Sequence, residues 1–169
     1  MFARTVVVVS LLGSMAVSDS CRAQSDDDRS KQRLPSSYLY SVLNGQKGDK
    51  TTFRDSSGRT QVSATQSGNR ISIRDGSGRS IGSAETSGNK TTFRDASGRT
   101  IQTATTNGER TTFRSSNGSS LGTASQSRNS TTFRDASERS IGSASNSGSR
   151  TTFRDRSGRS SGSASRNRR

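Results

Sequence analysis

The chain of 169 residues has no histidine, no tryptophan, one cysteine and one proline. The lack of histidine excludes imidazole-bound metal sites and histidine-based catalytic triads. With Cys21 alone, no intramolecular disulfide can form. Apolar residues make up 24% of the chain and aromatics 5%, well below globular usage. Low hydrophobicity combined with a net charge of +14 is also the composition of disordered chains, so a largely disordered monomer is one reading. Aspartate and serine are plentiful, but they recur as turn residues, and no nucleophile, base and orienting group can be assembled from them. The sequence therefore reads as a non-enzyme with no cofactor and no metal site.

The first residues read as a secretory leader. Arg4 supplies a positive start, and Thr5 to Val17 form an apolar stretch containing Val6-Val7-Val8-Val9 and Leu11-Leu12. Ala23 is a small residue suited to cleavage, so residues 1–23 are expected to be removed. The run is too short and too interrupted by serine for a membrane span. Cys21 leaves with the leader, or is lipidated if it is retained. Residues 24–50 form a polar lead-in. It runs from Asp26-Asp27-Asp28 through Pro35 to Tyr38-Leu39-Tyr40-Ser41-Val42-Leu43. That last stretch reads as a strand capping the C-terminal part of the chain, or as a docking segment for an assembly partner.

Residues 51–169 hold six tandem copies of a 20-residue unit. Phe53, Phe93, Phe113, Phe133 and Phe153 fall on one grid, with Ile73 at its second point. In the third copy, Lys90 to Arg94 is β-branched and aromatic, as strands prefer. Asp95-Ala96-Ser97-Gly98 has the type I turn preference. Arg99 to Thr105 is a second strand, and Asn107-Gly108 a second turn. Alternation places Thr91 and Phe93 on one face and Lys90, Thr92 and Arg94 on the other. Ile101 and Ala104 cannot share a face in a regular strand, so a bulge intervenes or the Gly82/Ala84 face packs closely. One repeat carries too little apolar surface to offset the entropy of ordering it. The units must therefore stack, or order on a partner.

The expected fold is all-β: a β-solenoid in which residue i stacks on i+20 at about 4.8 Å, with Phe53, Ile73, Phe93, Phe113, Phe133 and Phe153 as its stacked core. An antiparallel hairpin meander is the alternative. The atypical sixth copy, ending Arg166-Asn167-Arg168-Arg169, reads as a polar cap. The Ser/Thr/Gly/Asn-rich strand-turn-strand units resemble curlin-type fibre subunits of bacterial surfaces. A second likeness is to the YD repeats of Rhs-type shell proteins, carried by Asp95-Ala96-Ser97-Gly98-Arg99 and by Asp55 to Arg59, Asp75 to Arg79 and Asp155 to Arg159. The curlin resemblance implies a secreted or cell-surface protein that self-associates into a fibre, with adhesive or matrix roles.

Paired arginines recur in the copies: Arg54/Arg59, Arg74/Arg79, Arg94/Arg99, Arg134/Arg139 and Arg154/Arg159. Guanidinium groups in a row suit phosphate or carboxylate polymers, so these ten are the candidate anion-binding residues. The same spacing also fits a solvated face with local Arg–Asp pairs. Aspartates beside glycine turns evoke calcium, but the spacing is not that of a calcium-binding β-roll. Two functions stay open: an exported structural protein forming a surface or matrix fibre, and a basic, mostly disordered protein binding polysaccharide, lipopolysaccharide or nucleic acid without sequence readout.

Overall fold

The computed structural model describes residues 7–8, 40–41 and 50–167. Most of the expected leader and of the expected lead-in lies outside the described residues. Of those two segments, only a short antiparallel pairing of Val7–Val8 with Tyr40–Ser41 is described, together with Lys50.

From Lys50 onward the chain alternates six-residue and eight-residue strands. They are β1 (Lys50–Asp55), β2 (Thr60–Ser67), β3 (Arg70–Asp75), β4 (Ser80–Ser87), β5 (Lys90–Asp95), β6 (Thr100–Asn107), β7 (Arg110–Ser115), β8 (Ser120–Ser127), β9 (Ser130–Asp135), β10 (Ser140–Ser147), β11 (Arg150–Asp155) and β12 (Ser160–Asn167). Each strand pairs antiparallel with the next, and β12 pairs with β1, so the sheet closes into a twelve-stranded barrel. The solenoid expectation is therefore wrong. Equivalent residues of successive repeats do not stack; they lie two strands apart around a ring, about 10 Å at ~4.8 Å per strand.

The turns explain why. Between β1 and β2, Gly58 N–H donates to Asp55 C=O at 3.0 Å and Asp55 N–H donates to Arg59 C=O at 3.0 Å. Gly58 has φ +80°. This is a type I turn followed by a left-handed residue, a three-residue hairpin loop. Between β2 and β3, Ser67 pairs with Arg70 across Gly68-Asn69. Gly68 has φ +61°, whereas the φ of Asn69 is not positive, which gives the II′ pattern. Both connections reverse the chain within two or three residues. A solenoid rung needs arcs, and these turns force antiparallel neighbours. In the third copy the second turn is Gly108-Glu109, one residue later than expected, because Asn107 still pairs with Arg110.

Closure also disposes of the apolar face. The odd strands bury Phe53, Ile73, Phe93, Phe113, Phe133 and Phe153, and the even strands bury Ala64, Ala84, Ala104, Ala124, Ala144 and Ala164. Register sets an alanine against each large residue, as in Ala84 opposite Phe93 and Ala164 opposite Phe53. A twelve-stranded ring is wider than one that ordinary side chains fill easily, and the large residues occupy that extra width. The core is thus a ring of side chains rather than a stack.

Each even strand carries one extra residue. Ile73 pairs with Gly82 and Arg74 with Ser80, which leaves Ile81 as a bulge. Ile101, Leu121 and Ile141 occupy the same place, and with Ile81 they pack partly buried against the core. Bulge and close packing both occur, because a Cβ on Gly82 would strike the backbone carbonyl oxygen of Arg94. The sixth copy is not a water-facing cap: Arg166 lies opposite Thr51 and Asn167 opposite Lys50 across the closing junction.

Outward positions are polar throughout, for example Thr52, Arg54, Ser63 and Thr65. This is the reverse of a lipid-facing barrel, which presents an apolar outer band. Among the described residues, no helix is long and apolar enough to cross a membrane.

Candidate anion-binding rim

All type I turns lie at one end of the barrel, and all II′ turns at the other with Lys50 and Asn167. The ten arginines singled out by sequence flank the type I turns, so they crown a single rim. They divide into two kinds.

The first kind ends the odd strands. Arg54, Arg74, Arg94, Arg134 and Arg154 each donate a guanidinium N–H to the carbonyl of the residue four positions on, at 2.8 to 3.2 Å. These arginines brace their own turns from outside. Arg114 makes the same contact to Gly118 at 2.9 Å. Reading only paired arginines missed it, because the fourth copy has Ser119 as the second member; its place on the 20-residue grid was the available signal.

The second kind follows the turn. Arg59, Arg79, Arg99, Arg139 and Arg159 are fixed through the main chain: each backbone N–H donates to the Oδ1 of the turn aspartate at 2.9 to 3.0 Å. Their side chains are exposed. Loop residue Arg156 adds another exposed guanidinium in the sixth copy.

The aspartates are used on the turn rather than on the arginines. Asp75 Oδ1 accepts from Ser77 Oγ at 2.6 Å, Ser77 N at 2.9 Å and Arg79 N at 2.9 Å. Asp95 does the same with Ser97 and Arg99. The Ser77 hydroxyl holds Asp75 below the usual carboxylate range, and the Ser97 hydroxyl does so for Asp95. For Asp55 the main cause is the Arg59 amide, followed by Gln61 Nε2. Hydrogen bonds to the charged form favour it. The fourth copy has no aspartate here; Asn117 Oδ1 accepts from Ser119 N and Ser115 Oγ instead.

Among the described residues no Arg–Asp ion pair forms within the turns. Among the described residues the one ion pair is Arg110–Glu138 at 2.8 Å, with side chains 57% and 55% exposed. It ties the start of β7 to the turn between β9 and β10. The rim thus carries a ring of guanidinium groups, with its turn aspartates committed to main-chain amides and Glu138 paired with Arg110. Among the described residues no group of acidic side chains is arranged to hold a metal ion. Compared with known protein families, curated proteins and solved structures, the chain has no significant match.

Proposed function

We propose that this protein is an exported, ring-shaped basic module that binds anionic polymers, such as acidic polysaccharide, lipopolysaccharide or nucleic acid, through its arginine rim. The observation that carries this reading is the exposure of Arg59, Arg79, Arg99, Arg139 and Arg159 at one end, with backbones fixed and no carboxylate in contact. A ring of cations on fixed backbones, interrupted at Ser119, binds a polyanion by releasing its counterions, with little cost in ordering the main chain. Nothing in the rim reads bases. The leader-like residues 1–23 support export. A surface or matrix fibre is the other reading, but a closed sheet has no edge strand for templated addition, so the ring must open first.

The test is anisotropy titration of a labelled acidic polysaccharide with the full chain at several salt concentrations. Replacing Arg59, Arg79, Arg99 and Arg139 by glutamine is expected to weaken binding more than tenfold near physiological salt and to flatten the salt slope. The charge-matched control replaces Lys50, Arg70, Lys90 and Arg150, at the opposite rim, and is expected to cost far less. Equal losses would reduce the effect to net charge and sink the rim as a site.

A further inference from the structure

Five II′ turns join the six hairpins. In four of them the first central residue is glycine, with φ between +58° and +61° (Gly68, Gly88, Gly108, Gly148). In the fifth it is Arg128, held at φ +42°. A side chain bearing Cβ is strained in that region. Among the five II′ turns, the one between β8 and β9 therefore gains most by straightening.

The closing junction supplies a second, independent observation. Across β12 and β1, Gly162 faces Asp55, Ala164 faces Phe53 and Asn167 faces Lys50. Across β8 and β9, Gly122 faces Asp135, Ala124 faces Phe133 and Ser127 faces Ser130. The two junctions have the same register, but only the second is closed by a turn. At the closing junction Thr51 Oγ1 on β1 has no hydrogen-bond partner, as Thr123 Oγ1 on β8 has none, whereas the equivalent Thr91 and Thr111 bond Thr86 and Thr106 across their junctions at 3.0 Å. The closing junction thus lacks both a covalent link and full polar satisfaction, yet it offers a pairing that a strand from another molecule reproduces.

From these observations we infer that the protein exchanges residues 130–167, the last two hairpins, between two copies of itself. Arg128-Asn129 is the hinge, and the β8–β9 and β12–β1 junctions both open and re-form between copies. In the exchanged dimer, β9 of one copy pairs with β8 of the other, and β12 with β1, in unchanged register. Phe133 and Phe153 return to equivalent rings, and every strand keeps both neighbours. Arg128 leaves its left-handed conformation. Because Arg110 stays and Glu138 travels, their ion pair re-forms between chains. The hinge lies at the rim opposite the arginine crown, so the dimer carries one crown at each end. Exchange is symmetric and closed, as two-fold swapping requires, and it stands independently of anion binding.

The test uses the full chain with Cys21→Ser and a cysteine pair, Thr52→Cys with Ser165→Cys, which are register partners across the closing junction. The protein is refolded from denaturant at high concentration, and monomer and dimer are separated by size-exclusion chromatography. Each fraction is oxidised and run on a non-reducing denaturing gel. The expected result is an intrachain disulfide in the monomer fraction and a covalent dimer in the dimer fraction. Arg128→Gly is expected to lower the dimer fraction about tenfold. A dimer whose disulfides are all intrachain would overturn the exchange, as would a chain that stays monomeric throughout. An unchanged dimer fraction in Arg128→Gly would overturn the hinge.

Discussion

The ring of Phe53 lies 6.4 Å from that of Phe153, inclined by 25°, although the two are at opposite ends of the repeat array. Between them runs β12, and Ala164, opposite Phe53, leaves room for the rings to approach. The contact couples the first and last hairpins. Phe153→Ala is expected to cost about 3–5 kcal/mol, and Phe93→Ala a similar amount. The expected difference lies in local stability: Phe153→Ala also loosens closure and should raise hydrogen exchange selectively in β1 and β12. Uniform exchange changes in both variants would show that the junction has no separate stability.

Arg128 and Glu138 are the only non-glycine residues with positive φ among those described. Arg128→Gly removes a strained conformation worth about 1 kcal/mol and should raise the urea midpoint at unchanged m-value. Glu138→Gly relieves similar strain at φ +60°, but it also removes the exposed pair with Arg110, worth ~0–1 kcal/mol. Its net gain should be smaller. A larger gain from Glu138→Gly would mean the ion pair is unfavourable.

Two glycines separate conformational from steric cost. Gly58 has φ +80° but open space where a Cβ would project, so Gly58→Ala should cost about 1 kcal/mol. At Gly122, φ is +137° and a Cβ would collide with the backbone carbonyl of Arg134. Gly122→Ala should cost about 3 kcal/mol, since neither partner atom can swing away. Chemical denaturation of both variants ranks the two effects, and equal costs would refute the close approach.

Acid should destabilise the protein through its turns. Asp55, Asp75 and Asp95 are held below the ordinary value of 3.8 when folded, while the unfolded chain titrates near that value. Their contribution is complete above the unfolded value and is lost as pH falls through the lower folded values. Melting temperature should therefore be insensitive to these groups at neutral pH and drop below about pH 4. The double variant Asp75→Asn, Asp95→Asn keeps an acceptor at each turn and removes the titration. Its melting temperature should fall less steeply in acid than that of the parent. Parallel curves would exclude the aspartates as the cause.

Local structure was legible in the residues. Alternation puts Thr91 and Phe93 on the buried face and Lys90 and Arg94 on the exposed one, and their exposures follow it. The type I turn at Asp95 to Gly98 forms as its residues dictate, with Gly98 N–H donating to Asp95 C=O at 3.1 Å. The conflict between Ile101 and Ala104 announced the bulge. The II′ turn was legible in principle, since Gly at its first central position marks a tight reversal, and that reversal argues against a solenoid. Closure was not legible, because a 20-residue period is equally compatible with stacked rungs, an open meander and a ring. What selects the ring is curvature, set by bulges and by carbonyls approaching Gly82 and Gly122, and a period does not encode curvature. For the rim, the sequence identified the arginines but not their division into turn braces and exposed groups, which depends on where each turn carbonyl points.

A closed sheet counts its repeats. In a linear array, gaining or losing one unit through replication slippage changes only length. Here each unit contributes two of the twelve strands, so a seventh copy would widen the bore around the same phenylalanines, and a fifth would crowd them. The barrel thus tolerates a change of sequence within a repeat more readily than a change in the number of repeats, because only the second alters its circumference.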